Sequence, residues 1–81
     1  MYVILDARKL GAGDLAHPYL KSVFGFPDYY GNNLDALYDC LSEMPQIHFL
    51  LIHSREAGEY FSKVLSVFKE LSDAQIRYID P

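Results

Sequence analysis

Residues 26–41 read FPDYYGNNLDALYDCL, and the rest of the fold can be worked out from this stretch. Asn33 is a good N-cap for a helix. Apolar residues then recur at the i, i+3, i+7 spacing of one helix face, at Leu34, Leu37 and Leu41. The spacing predicts an amphipathic helix over residues 33–43, stopped by Pro45, with its leucines packed on a core.

Two acidic residues of this predicted helix, Asp35 and Asp39, lie four positions apart. A four-residue step leaves their side chains only about 40° apart around the helix axis. Like charges at this spacing destabilise a helix by about 0.2–0.5 kcal/mol, and the helix dipole disfavours an anion in the C-terminal half, where Asp39 lies. The pair could be two ordinary solvated acids. The residues around it favour the other interpretation, a face that binds something outside the chain.

Three apolar segments are typical of β-strands. Tyr2–Asp6 is a short strand, followed by a run of helix-breaking and small residues at positions 11–13. Residues 47–52 form a nearly unbroken apolar run, which predicts a central strand covered on both faces. Residues 76–80 alternate enough between apolar and polar to predict an edge strand.

A first helix is predicted between the first strand and residues 26–41. It begins either with Asp14 as its cap, or with His17 as the cap and Pro18 as the first helical residue, since proline is tolerated only near a helix start. Gly25 and Pro27 end it. Its inner stripe is predicted to be Leu20, Val23 and Phe24.

The longest helix is predicted to begin at Ser54 or Arg55 and to end before Ser72 and Asp73. Its apolar stripe follows the 3.6-residue period at Ala57, Tyr60, Phe61, Val64, Leu65, Phe68 and Leu71. Glu59 and Lys63 are spaced to form a favourable pair on its exposed side.

The predicted order of elements is strand, helix, helix, strand, helix, strand. Strands joined by helical crossovers are normally parallel. We therefore expect an α/β fold with a small three-stranded parallel sheet packed against three to four helices. Because 81 residues are too few for two cores, residues 1–81 are expected to form a single domain.

The charge of the chain restricts its partners. Seven Lys and Arg against eleven Asp and Glu give a formal net charge of −4. Binding of nucleic acid needs clustered basic residues, so we expect no direct nucleic-acid partner and a basic protein instead. A single cysteine cannot form an internal disulfide, and no signal peptide or membrane-spanning run of about 20 apolar residues is present, so we expect a cytoplasmic protein with no membrane partner.

The loop before the acidic helix carries aromatic residues. Tyr29 and Tyr30 precede Gly31, and exposed aromatics beside carboxylates are typical of interface anchors. One of the two tyrosines is expected to cover the core with its ring, but not both. Gly31 allows either a positive φ or a close approach by another backbone. Tyr38 lies between the leucine stripe and the acids.

This stretch resembles the barstar-type inhibitors of secreted bacterial ribonucleases. The family pattern reads roughly P-x-Y-Y-G-x-N-L-D-A-L-W-D-C-L, and the matching residues are Pro27, Tyr29, Tyr30, Gly31, Asn33, Leu34, Asp35, Ala36, Leu37, Asp39, Cys40 and Leu41. Residues 67–70, VFKE, resemble a V-F-R-E run on the family's last long helix. Tyr38 stands where the family usually has tryptophan. Met44 stands where its best-known member has another tryptophan, and the segment 54–59 is shorter than in that member.

The resemblance implies a barstar-like fold over residues 1–81 and a protein that is not an enzyme and needs no cofactor or metal. Its partner would be a basic secreted ribonuclease, barnase-like, or a related toxin, whose cationic active site would be covered by the helix 33–43 and the Tyr-rich loop. Carboxylates can pair there with arginine and lysine through charge-assisted hydrogen bonds. The resemblance assigns this role to Tyr29, Gly31, Asn33, Asp35, Tyr38, Asp39, Ser42 and Glu70.

Within that set, the resemblance implies different roles. Asp39 would imitate a phosphate beside Asp35, and Tyr29 and Tyr38 would pack on the rim of the nuclease site. Gly31 and Asn33 would allow close backbone contact. Ser42 would offer a hydroxyl, and Glu70 would add a peripheral acidic contact.

The sequence leaves two other classes of function open. A module with the same scaffold could bind a different basic toxin or regulatory protein. An enzyme could use Asp35 and Asp39 as an acid–base pair or a divalent-ion site, but no third acid or histidine completes a metal motif, and His17, His48 and His53 show no ligand spacing. Cys40 is expected to be buried and inert rather than a nucleophile.

Overall fold

The computed structural model describes residues 1–79. Its three strands and three α-helices follow the predicted order: β1 Tyr2–Asp6, α1 Gly13–Phe24, α2 Leu34–Ser42, β2 His48–Ile52, α3 Tyr60–Glu70 and β3 Gln75–Tyr78. Two short 3₁₀ helices, Ala7–Leu10 and Ser54–Glu56, follow β1 and β2. The predicted α/β fold is confirmed.

The sheet is parallel throughout and has the strand order β1-β2-β3. Phe49 pairs with Val3 on one side and with Ile76 on the other. The prediction that residues 47–52 hold the central strand is therefore confirmed, as is the edge position of the last strand. Asp80, the predicted end of that strand, lies outside the described residues.

Only one face of the sheet is covered by helices. Phe49 and Leu51 of β2 are fully buried, whereas His48, Leu50 and Ile52 alternate with them and are only partly buried. On β1 the same open face carries exposed apolar side chains, including Ile4. The expectation that β2 is covered on both faces is wrong, because all the helical core residues pack with the inward set that includes Leu5, Phe49 and Leu51.

The core forms between this inner face and the three helices. Leu20, Leu37 and Val64 contribute one fully buried side chain from each helix, and the rings of Phe49 and Phe68 stack with centroids 3.9 Å apart. Burying each side chain of this size stabilises the fold by about 1.5–3 kcal/mol. The predicted stripe of α1 is correct for Leu20 and Phe24 but wrong for Val23, which is 40% exposed.

Helix α1 begins earlier than either sequence alternative allowed. Its N-cap is Ala12, whose carbonyl oxygen accepts from the Ala16 amide at 2.8 Å, and Pro18 lies inside the helix. An internal proline lacks one helical hydrogen bond. The helix nevertheless continues through it, because the turn around Pro18 contains His17, which is only 2% exposed and is held by contacts with distant residues. The predicted end is confirmed: Gly25 adopts a left-handed φ of 70°.

Helix α3 begins at Tyr60, later than the predicted Ser54 or Arg55. The chain first forms the 3₁₀ helix Ser54–Glu56 and then passes Gly58, where a Cβ atom would lie 2.8 Å from the Gly11 carbonyl oxygen. This close contact between two backbone segments needs glycine and prevents a continuous helix. The Tyr60 amide then donates to the same Gly11 oxygen at 3.2 Å.

Candidate functional site

Asn33 is the N-cap of helix α2, and both the oxygen and the nitrogen of its side-chain amide form hydrogen bonds. Its Oδ1 accepts from the Ala36 amide at 2.8 Å, and its Nδ2 donates to the Gly31 carbonyl oxygen at 3.2 Å. A Cβ atom on residue 31 would lie 3.0 Å from this Nδ2. Gly31 therefore meets the side chain of the helix cap and not another backbone, and the positive φ at this end of the loop belongs to Asn32 instead.

The two tyrosines of the loop have opposite environments. Tyr30 is buried: its ring packs on Phe26 at a centroid distance of 4.7 Å, and its hydroxyl lies 2.7 Å from His17 Nδ1. Burial raises the pKa of the Tyr30 hydroxyl. Tyr29 is 87% exposed. The prediction that one of the two, and not both, covers the core is confirmed.

Asp35 and Asp39 both point to solvent on the outer face of α2. Within residues 1–79, no Lys, Arg or His nitrogen lies within 4.0 Å of either carboxylate. Asp6 shows the contrasting case, since the Arg8 guanidinium lies 2.9 Å from its carboxylate and lowers its pKa. The acids of α2 are therefore neither turned inward nor neutralised by a cation of the described chain.

A groove of about 600 Å³ runs between α2 and α3. We call it the acidic groove. It is lined by Leu34, Asp35, Tyr38, Asp39, Lys63, Ser66, Val67 and Glu70. The structure thus brings four of the eight predicted site residues together around one depression, although they come from two helices that are distant in sequence.

The other four predicted residues do not line the groove. Tyr29, Gly31 and Asn33 belong to the loop that leads into α2, and Ser42 is its last residue. The Ser42 hydroxyl donates to the Asp39 carbonyl oxygen at 2.9 Å, so it is engaged at the helix end. Ser42 also lines a second depression, which it shares with Tyr38.

Lys63 is a charged residue of the groove that the sequence analysis did not place in the site. The predicted ion pair with Glu59 is not among the salt bridges within the described chain, and the Lys63 ammonium lies 6.0 Å above the Tyr60 ring. Three carboxylates and one ammonium therefore line the groove, which leaves it negative. A surface of this kind attracts cations and cationic proteins.

Helix α2 carries one thiol that could act as a nucleophile, that of Cys40. Cys40 is partly rather than fully buried, and burial raises the pKa of its thiol, with a smaller contribution from Glu43 and Asp39, so the nucleophilic thiolate is disfavoured. Among residues 1–79, no three His, Cys, Asp or Glu side chains are placed to hold a metal ion together. None of the helices in the described part of the chain has the length and apolar character to cross a bilayer.

Comparison with known proteins agrees with this geometry. Residues 1–78 match the family described as "Barstar (barnase inhibitor)". The chain is also similar to the Bacillus subtilis (strain 168) protein named "Putative ribonuclease inhibitor YrdF", with 35% identity over 77 residues, covering 88% of this chain and 85% of the relative. The resemblance that the sequence indicated at residues 27–41 thus extends over nearly the whole chain, and the chain belongs to the barstar family of ribonuclease inhibitors.

Proposed function

We propose that this protein inhibits a basic, secreted bacterial ribonuclease by covering its cationic active site with α2 and the preceding loop. The observation that carries the proposal is the acidic groove, in which Asp35, Asp39 and Glu70 stand exposed in a chain of the barstar family. A nuclease site that holds phosphate is built from arginine, lysine and histidine. Exposed carboxylates can bind such groups with charge-assisted hydrogen bonds.

Asp39 is the proposed centre of the contact. It lies in the C-terminal half of α2, lines the groove and has no cation of its own chain within 4.0 Å among residues 1–79. An unpaired carboxylate keeps its full capacity to accept hydrogen bonds until a partner removes the water around it. Asp39 would therefore take the place of a substrate phosphate in the nuclease.

The residues around Asp39 have supporting roles in the proposal. Tyr29 is fully available on the loop, and Tyr38 stands beside Asp39, so both rings can pack on the rim of the nuclease site. Asn33 and Gly31 fix the backbone that presents them. Glu70 adds a charge from α3, and Ser42 adds a hydroxyl at the end of α2.

The proposed place of action is the cytoplasm. One cysteine in 81 residues suits a reducing compartment. An inhibitor there would protect the cell's own RNA from nuclease that has not yet been exported. Its negative charge would also speed capture of a basic nuclease through long-range attraction.

The proposal is tested by titrating ribonuclease activity with the purified protein. Two sources of activity are used: purified barnase, and the ribonuclease secreted into the medium by the organism that encodes this chain. Loss of activity at a one-to-one ratio with either source is expected. If both remain fully active while the protein binds a different basic toxin or regulator, the inhibitor assignment is overturned in favour of a binding module on the same scaffold.

A further inference from the structure

A second depression lies next to the acidic groove, on the other side of Tyr38. Its volume is about 110 Å³. It is formed where the end of α2 and the following loop meet the turn after α3, by Tyr38, Leu41, Ser42, Met44, Pro45, Gln46, Ile47, Leu71, Ser72, Asp73 and Ala74. We call it the Tyr38 pocket. Tyr38 lines both the pocket and the groove, so the two depressions form one continuous surface.

The pocket is placed where two helices end. Helix α2 ends at Ser42 and α3 ends at Glu70. The pocket is lined by Ser42 and residues 44–47 at the first of these ends, and by residues 71–74 at the second. The C-terminus of a helix carries a partial negative charge from its last carbonyl groups, and basic residues there are favourable. The last turn of α2 has no basic residue.

The side chains of the lining add to this negative character. Asp73 contributes a carboxylate, and no Lys, Arg or His belongs to the lining. Lys69 lies in the last turn of α3 but is not part of the pocket wall. The Met1 amino group donates to the Gln46 carbonyl oxygen at 3.0 Å, and it is the one cation with a hydrogen bond to a lining residue within residues 1–79.

We propose that the Tyr38 pocket receives one basic side chain, arginine or lysine, from the ribonuclease whose active site the acidic groove covers. The aliphatic part of such a side chain would pack on Tyr38 and Leu71, and its charged end would meet Asp73 and the carbonyl groups at the helix ends. This inference rests on the proposed function for the identity of the partner. It adds an anchor outside the predicted set of contact residues, which includes Tyr38 and Ser42 but none of residues 71–74.

The first test uses the inhibitor alone and does not depend on the nuclease. N-acetyl-argininamide is titrated to millimolar concentration into ¹⁵N-labelled protein, and amide shifts are followed by NMR. We expect amide shifts in residues 41–46 and 71–74 of the unmodified protein. These shifts should be absent in Ser72→Lys, because this substitution places a competing ammonium at the pocket. Absence of shifts there, or shifts confined to the acidic groove, would overturn the pocket assignment.

The second test measures dissociation from the ribonuclease inhibited in the activity titration, barnase in the first instance. Ser72→Lys is expected to speed dissociation about tenfold or more, because a change of this size corresponds to the loss of one charge-assisted hydrogen bond. Asp73→Asn is expected to have a smaller effect, about two- to fivefold, since Asp73 is exposed. The control is Ser22→Lys, the same charge change at an exposed serine of α1, and thermal melting confirms that each variant is folded.

The outcomes separate the two proposals. If Asp39→Ala weakens binding and Ser72→Lys behaves like Ser22→Lys, the acidic groove binds the nuclease and the pocket does not take part. If Asp39→Ala has no effect, the proposed function itself fails, and the NMR titration with the arginine derivative still decides whether the pocket accepts a cation.

Discussion

The Nδ1 atom of His17 lies 2.7 Å from the hydroxyl of Tyr30, and this contact ties helix α1 to the loop that leads into α2. The other ring nitrogen, Nε2, lies 2.7 Å from the hydroxyl of Tyr60 at the start of α3. One buried imidazole on α1 therefore connects this helix to the loop before α2 and to the first residue of α3. Because Tyr30 lies between Tyr29 and Gly31, the position of the proposed binding loop depends on the contact between His17 and Tyr30.

The first prediction concerns the effect of pH on stability. Burial lowers the pKa of His17, because the protonated form of the ring loses its hydration in the folded protein. Below about pH 6.5 the unfolded chain takes up a proton on this histidine that the folded chain binds only at lower pH. The free energy of unfolding is therefore expected to fall as the pH drops below about 6.5, by at most about 1.4 kcal/mol per pH unit, until the pKa of the folded state is reached.

Urea unfolding at a series of pH values between 7.5 and 5 measures this slope. A single cooperative transition is expected, since we propose that the chain forms one domain. His17→Gln should be less stable at neutral pH but lack this component of the slope. An unchanged slope in His17→Gln would contradict the assignment.

The second prediction compares the two tyrosines that contact His17. Tyr30→Phe and Tyr60→Phe each leave one buried ring nitrogen without a partner, so each is expected to lower the free energy of unfolding by about 1–3 kcal/mol. Tyr30 also belongs to the proposed binding loop, whereas Tyr60 does not line the acidic groove. Only Tyr30→Phe should speed dissociation from the ribonuclease. Equal effects of both variants on dissociation would show that the loop gains nothing specific from this anchor.

The third prediction concerns Lys63, the positive charge in the acidic groove. Lys63→Glu makes the groove more negative, so association with a basic nuclease is expected to be faster at low salt. High salt should remove the gain, because screening acts over about 10 Å at 0.1 M ionic strength. Stopped-flow mixing measures the association rate, and Lys9→Glu, the same charge change on the 3₁₀ helix after β1, should give a smaller increase. Slower association of Lys63→Glu would mean that Lys63 pairs with an acid on the nuclease.

The fourth prediction concerns the contact between Gly11 and Gly58. Gly58→Ala places a methyl group 2.8 Å from the Gly11 carbonyl oxygen, and the backbone must move to admit it. Overpacking of this kind costs about 1–3 kcal/mol. Urea unfolding of Gly58→Ala measures the loss. A change below about 0.5 kcal/mol, within the range of ordinary surface substitutions, would mean that the two segments separate easily.

The sequence contained enough information for the features that depend on local pattern. Asn33 and the leucines of α2 predicted both the start and the buried face of that helix, and they followed from cap chemistry and the 3.6-residue period. The outward direction of Asp35 and Asp39 followed from the same helix. The parallel sheet followed from the helices between its strands.

The errors fall where distant parts of the chain meet. The predicted start of α1 is too late, because nothing near Pro18 reveals that His17 will contact hydroxyls 13 and 43 positions away. The predicted start of α3 is too early, because the contact of Gly58 with Gly11 joins segments that are distant in sequence. The apolar run at residues 47–52 predicts a strand covered on both faces, but such a run does not show how many layers of helices will pack on the sheet. The sequence predicts an ion pair between Lys63 and Glu59 from their spacing on one helix. It does not place Lys63 in the groove, because the groove forms only when α2 and α3 pack side by side.

The most direct test of the proposed binding face is the rate at which Asp39→Ala dissociates from the inhibited ribonuclease, compared with Asp14→Ala. Asp14 is an exposed acid in the first turn of α1, so both variants lose one negative charge. A hot-spot residue contributes at least about 2 kcal/mol, or about a 30-fold faster dissociation. The barnase–barstar complex is one of the systems that established such values, so the figure is carried over from the family. We expect Asp39→Ala to dissociate at least that much faster while Asp14→Ala stays close to the unmodified protein. An Asp39→Ala dissociation rate equal to that of the unmodified protein would contradict the proposed binding face.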